Sequence, residues 1–137
     1  MIVVDSNVII YFLISSDFSE LSRKTEQAFF KDPHWIAPPL WRSEVRNVLA
    51  YYIRKRFLTL EAAKRLMEKA SNLMIGSEHD VDSSHILQLA AESTCTAYDC
   101  EFVALAKDLG VPLVTVDKKV LAQFSDVAIA LDKYVAV

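Results

Sequence analysis

The stretch "TAYDCEFVALAKDLGVPLVTVD", residues 96–117, reads as a helix, its stop signal and a strand in succession. The helical pattern runs from about Tyr98 to Leu109, and Gly110 with Pro112 supplies the stop. "PLVTVD" then forms a continuous apolar run instead of an alternating one, the mark of a strand buried on both faces of a parallel sheet. The chain opens in the same way: Ile2–Val4 is an apolar run closed by Asp5, as "PLVTV" is closed by Asp117. Val8–Leu13 is apolar enough either to continue the first strand or to begin a short helix.

Working outward, Ser19–Phe30 is predicted helical with Ser19 as N-cap, and Trp35–Ala37 is a short strand. The prolines of "HWIAPPL" lead into a helix from about Leu40 to Arg56, whose apolar stripe is Trp41, Val45, Val48, Leu49, Tyr52 and Ile53. Thr59 caps a further helix that ends at Gly76; "EHDV" is a brief strand candidate. Ser83 or Ser84 opens a helix to about Glu92, Lys118–Phe124 is a short helix, and "VAIAL" is a final strand. Strands alternating with helices indicate one α/β domain over residues 1–137, a sandwich around a central, mainly parallel sheet.

Composition narrows the class. Hydrophobic residues are 53% and charged residues 24% of the 137, a globular balance, and two glycines with four prolines argue against a turn-rich all-β protein. A formal net charge of -3 offers no global attraction to nucleic acid, which disfavours a non-enzymatic nucleic-acid binder. It is compatible with an enzyme whose bound cation neutralises its own acidic site. Cys95 and Cys100 are too few for a disulfide framework and read as buried thiols of a reducing compartment. The first apolar run has no basic segment before it and is interrupted early by Asp5, so neither a signal peptide nor a membrane span is expected. A soluble, cytoplasmic protein is the expectation.

Four acids stand where acids need a reason. Asp5 and Asp117 each close a strand, and ligands of open parallel sheets bind beyond the carboxyl ends of strands. Glu44 falls at the edge of the apolar stripe of its helix, and Asp99 on the inward face of the first turn of its own. Singly, each has an ordinary explanation: Asp5 and Asp117 as helix caps, Glu44 as a partner of Arg42 or Arg46, Asp99 as a cap or dipole complement. Together they form a set that can face one cleft. Carboxylates converging without basic partners are tolerable around a hard divalent ion such as Mg2+ or Mn2+. Such an ion can polarise a phosphate and activate water for in-line attack.

The ordered motifs "VVDSNVII", "PPLWRSEVRNVL" and "TAYDCEFVALAKDLGVPLVTVD" resemble the PIN-domain ribonucleases, in particular the toxins of VapBC-type toxin–antitoxin pairs. The resemblance spans essentially the whole chain and implies a three-layer α/β/α sandwich. It implies that Asp5, Glu44, Asp99 and Asp117 are both the metal-binding and the catalytic residues, with Ser6, Asn7 and Thr115 supporting them. It further implies Mg2+-dependent endonucleolytic cleavage of RNA by a homodimer or higher homo-oligomer that a small antitoxin holds inactive. Cys100 and Phe102 stand where relatives often show alanine and tyrosine, swaps that preserve apolarity. Glu101 projects about 100° from its neighbours on the helix and is expected on the solvated side. Arg42, Arg46, Lys118 and Lys119 flank the acids and are candidates for gripping RNA.

Three other readings compete. "HDVDSSH" offers His79, Asp80, Asp82 and His85 as a separate transition-metal site, but if Asp82 caps a helix the histidines lie on different elements. A phosphatase with an aspartyl nucleophile calls for a second aspartate two positions after Asp5, where Asn7 stands. A catalytically inactive module of the same fold would have no reason to keep four mutually repelling acids. In "VLAYYIRKRFL", Tyr51 points off the main stripe and marks a dimer seam, an antitoxin groove or extra packing within a small domain.

Overall fold

Three valine and isoleucine side chains set the centre of the molecule. In the computed structural model, which describes residues 1–14 and 19–136, β1 (Ile2–Val4) is buried throughout. It pairs in parallel with β2 (Trp35–Ile36) on one side and β3 (Leu113–Thr115) on the other. β3 in turn pairs in parallel with β4 (Ala128–Ala130), which completes a sheet of order β2-β1-β3-β4.

The stretch after Asp5 turns into a helix, α1 (Ser6–Leu13), and does not extend β1. Asp5 itself stays extended, and its carboxylate accepts the Ser6 N–H. Ser6, Val8, Ile9, Ile10 and Leu13 are all buried, so α1 is covered on most sides, which explains its nearly unbroken apolar sequence. α2 (Glu20–Lys31) begins at the Ser19 cap as predicted. α3 (Trp41–Arg54) is shorter than expected because Arg56 takes a left-handed conformation, φ 61°, that no helix continues. α4 (Leu60–Leu73) is capped by Thr59, α5 (Ser83–Ala91) by Asp82, and α6 (Ala97–Leu109) by a reciprocal pair of bonds between Thr96 and Asp99. α6 closes at Gly110 with φ 66°.

α7 (Lys118–Gln123) follows β3 directly, and α8 (Leu131–Ala136) follows β4. The sequence reading stopped at "VAIAL" and missed α8. "EHDV" is not a strand: Glu78 makes a lone parallel bridge with Ala37. The pairing stops there because Asp82 turns the chain into α5 three residues after the last shared bond, that of the His79 N–H to the Ala37 carbonyl.

Connections run from β1 toward β2 in one direction and from β2 through β3 to β4 in the other. Right-handed crossovers therefore put α1 and α2 on one face of the sheet and α6 on the other. α1 packs against α2, α3 and α4, α2 packs against α8, and α6 packs against α5, β1 and β3. Trp35, Trp41 and Phe102 are the largest fully buried side chains of the resulting core. Among the described residues, no helix is long and apolar enough to cross a membrane.

Candidate active site

The reversal of strand order falls between β1 and β3. Their onward connections leave in opposite directions, which opens a crevice at their carboxyl ends. Asp5 stands one residue beyond β1 and Asp117 two beyond β3, so the topology sets both at that crevice.

Thr115, the fully buried last residue of β3, organises the crevice. Its hydroxyl donates to Asp5 Oδ2 at 2.7 Å and accepts the Asp117 N–H at 3.0 Å and the Asn7 side-chain amide at 3.3 Å. Asn7 Oδ1 accepts the Val116 N–H at 3.4 Å, so Asn7 braces the start of α1 against the end of β3.

Glu44 arrives from α3. The buried Ser6 hydroxyl donates to Glu44 Oε1 at 2.7 Å, linking the end of β1 to a helix 38 residues on. Asp99 enters from the first turn of α6, where its Oδ2 accepts the Thr96 N–H at 3.3 Å. Asp117 caps α7, with Oδ1 accepting the N–H groups of Lys119 and Val120 at 2.9 and 3.1 Å.

All four acids line one cleft of about 260 Å3, together with Ser6 and Asn7. Ile10 and Val48 supply its apolar wall, and Asn47 a further polar group. Sequence reasoning passed over Asn47, although it lies three positions after Glu44 and therefore on the same helical face. Among the described residues, no Lys, Arg or His lines this cleft.

The electrostatics follow from that arrangement. Burial pushes the Asp5 carboxyl up to about 6, with the charges of Glu44 and Asp99 adding to the rise and the bonds from Thr115 and Ser6 opposing it. Burial also raises the Glu44 carboxyl, helped by Asp99 and opposed by Ser6. Glu101 corrects an expectation: it is half-buried, and burial with the charge of Glu44 raises its carboxyl. Cys100 and the run Phe102–Ala106 are all buried, so the solvated strip of α6 beside Glu101 is narrow.

The four basic candidates lie outside the cleft wall. Arg42 forms an ion pair with Glu78, and Arg46 donates to the Arg42 carbonyl at 3.2 Å and to Ser43 Oγ at 3.3 Å. Lys118 lines a separate cavity with Leu21 and Asp132, and Lys119 lies on the side of α7 that senses Cys95. Asp82 caps α5, in which His85 Nδ1 lies 2.9 Å from Asp108 Oδ1 on α6, while His79 precedes that helix. Cys95 and Cys100 are buried free thiols, as read from sequence.

The donor set suits a hard cation. Among the described residues, no three His, Cys, Asp or Glu side chains are gathered tightly enough to hold an ion by themselves. An open set of carboxylates is what Mg2+ accepts, since it keeps several waters and takes only one or two protein oxygens at a time.

A parallel α/β sandwich with an acidic cleft at its switch point defines the class. The sequence matches the PIN domain over residues 2–129, and the chain belongs to that family. PIN domains are generally nucleases that use divalent metal ions. The fold is similar to the crystal structure of PAE2754 from Pyrobaculum aerophilum, with a TM-score of 0.73 and 20% identity over 98% of this chain and 93% of that one. No curated protein matches the sequence significantly.

Proposed function

We propose that the protein is a divalent-metal-dependent endoribonuclease, with Mg2+ or Mn2+ held by Asp5, Glu44, Asp99 and Asp117. The observation that carries this reading is the convergence of four carboxylates, from four separate parts of the chain, on one cleft without a basic side chain among its described lining residues. Burial of like charges raises Asp5 and Glu44, and a cation relieves what their mutual repulsion imposes.

Each acid is held from behind. Among the described residues, Glu44 Oε2, Asp99 Oδ1 and Asp117 Oδ2 have no protein partner, while the opposite oxygen of each is tied to Ser6, Thr96 or the start of α7. Both oxygens of Asp5 accept one hydrogen bond and keep a lone pair for a ligand. Such fixed carboxylates need little reorganisation when charge develops on a phosphate in the cleft. A bound ion would supply Lewis-acid polarisation of the scissile phosphate and a water of lowered pKa. Asp99 or Asp117 would orient that water. Arg42 and Arg46 flank Glu44 in the chain, and Lys118 and Lys119 follow Asp117, so these four are the candidates for contacts to the flanking phosphates of a strand.

The reading extends to the toxin of a VapBC-type pair, acting as a homodimer and held by an antitoxin. The motif resemblance supports it, as do the exposed side chains Tyr51 (50% exposed), Phe57 (70%) and Leu60 (53%) at the α3–α4 turn. The test is cleavage of single-stranded RNA by purified protein with Mg2+, with Mn2+ and with excess chelator. Cleavage is expected only with metal, and Asp5→Asn is expected to lose it while keeping its circular dichroism spectrum. Equal cleavage in chelator overturns the metal reading. The toxin reading falls if no small protein encoded beside this one binds it and suppresses growth arrest on co-expression.

A further inference from the structure

Beside the acidic cleft lies a second cavity, of about 380 Å3, lined by Leu40, Ser43, Glu44, Asn47 and Tyr98. Leu40, Ser43, Glu44 and Asn47 have the spacing i, i+3, i+4, i+7, so one face of α3 and the residue before it forms a single wall. Tyr98, in the first turn of α6, lines the same cavity and is 62% exposed. Glu44 and Asn47 line both cavities, so the two adjoin along one face of α3.

The exposure of Tyr98 is not needed for packing. Phe30, Tyr51 and Phe57 are also exposed aromatics, but among the described residues only Tyr98 lines a cavity that shares walls with the carboxylate cleft. Asp99 follows it immediately, so the helix turn that delivers a carboxylate to the cleft delivers an aromatic ring to the cavity next door.

We infer that this cavity is a nucleobase subsite, in which a base flanking the scissile phosphate stacks on Tyr98 and meets Ser43 and Asn47 along its edge. The inference rests on the nuclease reading for the position of the phosphate. A phosphate among the acids leaves its neighbouring base in reach of the adjoining cavity. An aromatic face on one side, aliphatic Leu40 on the wall and exposed hydroxyl and amide groups between them are the elements by which unstacked bases of single strands are held. Asn47 presents a donor and an acceptor together, and Ser43 either, which suits a base edge. Arg46 donates to Ser43 Oγ and so orients that hydroxyl.

The test measures binding of a ribose-methylated, cleavage-resistant oligonucleotide and of an abasic strand of equal length, by fluorescence anisotropy in Mn2+. The wild-type protein is expected to bind the base-bearing strand about tenfold or more tighter, the scale of one base–aromatic stack. Tyr98→Ala is expected to bring the base-bearing strand close to the abasic one, and Tyr98→Phe to retain the difference, since stacking needs the ring and not the hydroxyl. Equal binding of both strands by the wild-type protein, or full discrimination by Tyr98→Ala, overturns the subsite. RNA cleavage without base discrimination sinks the subsite alone. Discrimination through Tyr98 in a protein that cuts no RNA with Mg2+ or Mn2+ upholds the subsite and sinks the nuclease reading.

Discussion

The hydroxyl of Thr115 donates to Asp5 across a separation of 110 residues, and the same oxygen accepts the backbone N–H of Asp117. One buried side chain therefore sets the relation between the two strand-end acids of the site.

Thr115→Val keeps the shape and removes the hydroxyl, leaving an oxygen of Asp5 and the N–H of Asp117 without this partner. Loss of such bonds at a part-buried site destabilises by ~1–3 kcal/mol. Urea unfolding is expected to show that loss, with RNA cleavage lowered at least tenfold and Thr115→Ser close to wild type. Unaltered cleavage by the valine variant would remove Thr115 from any positioning role.

Ser6→Ala removes the donor that orients Glu44 Oε1. The bond opposes the burial-driven rise of the Glu44 carboxyl, so its loss moves that carboxyl further up. Cleavage is expected to fall by about tenfold at neutral pH and to recover partly at higher pH, whereas stability changes by only ~1 kcal/mol. A pH–rate profile identical to that of the wild type refutes the link.

Asp5 makes stability depend on pH in a defined window. Its carboxyl is raised from 3.8 to about 6 on folding, so between these values the folded state holds the proton more tightly than the unfolded state. Without metal, the wild-type protein is expected to lose stability relative to Asp5→Asn as pH rises from about 4 to about 6, by up to ~3 kcal/mol, and to hold a constant deficit above that. Thermal melts of both proteins in chelator, taken across this range, check the sign.

Divalent metal is expected to offset that deficit. At a Mn2+ concentration a hundred times its Kd, linkage adds ~2.7 kcal/mol to the folded state. A rise in Tm with Mn2+ at neutral pH is expected for the wild-type protein and a smaller one for Asp99→Asn. No shift in either protein would speak against a metal site in the cleft.

Gly110→Ala separates stability from the site. Gly110 sits at φ 66°, and a Cβ there meets nothing within 4 Å, so the loss is purely conformational. A decrease of ~1 kcal/mol in unfolding free energy is expected, with RNA cleavage per folded molecule unchanged.

Local patterns in the sequence determined the elements. Apolar runs became β1 and β3, and Ser19, Thr59 and Gly110 took up their cap positions, because the forces behind these features act within a few residues. The strand-end positions of Asp5 and Asp117 were legible for the same reason. Short elements with weak patterns were not: α8 escaped notice, and "EHDV" has strand-like residues but only one bridge.

Tertiary structure decided what those elements do together. The order β2-β1-β3-β4 makes β1 and β3 neighbours, and no local periodicity encodes which strands pair. From that order come the crevice, the Thr115–Asp5 bond, the Ser6–Glu44 bond and the meeting of Tyr98 with the face of α3. Glu101 shows the limit most directly: helical geometry alone points it away from its neighbours, and only the packing around α6 decides that it is half-buried and not fully solvated.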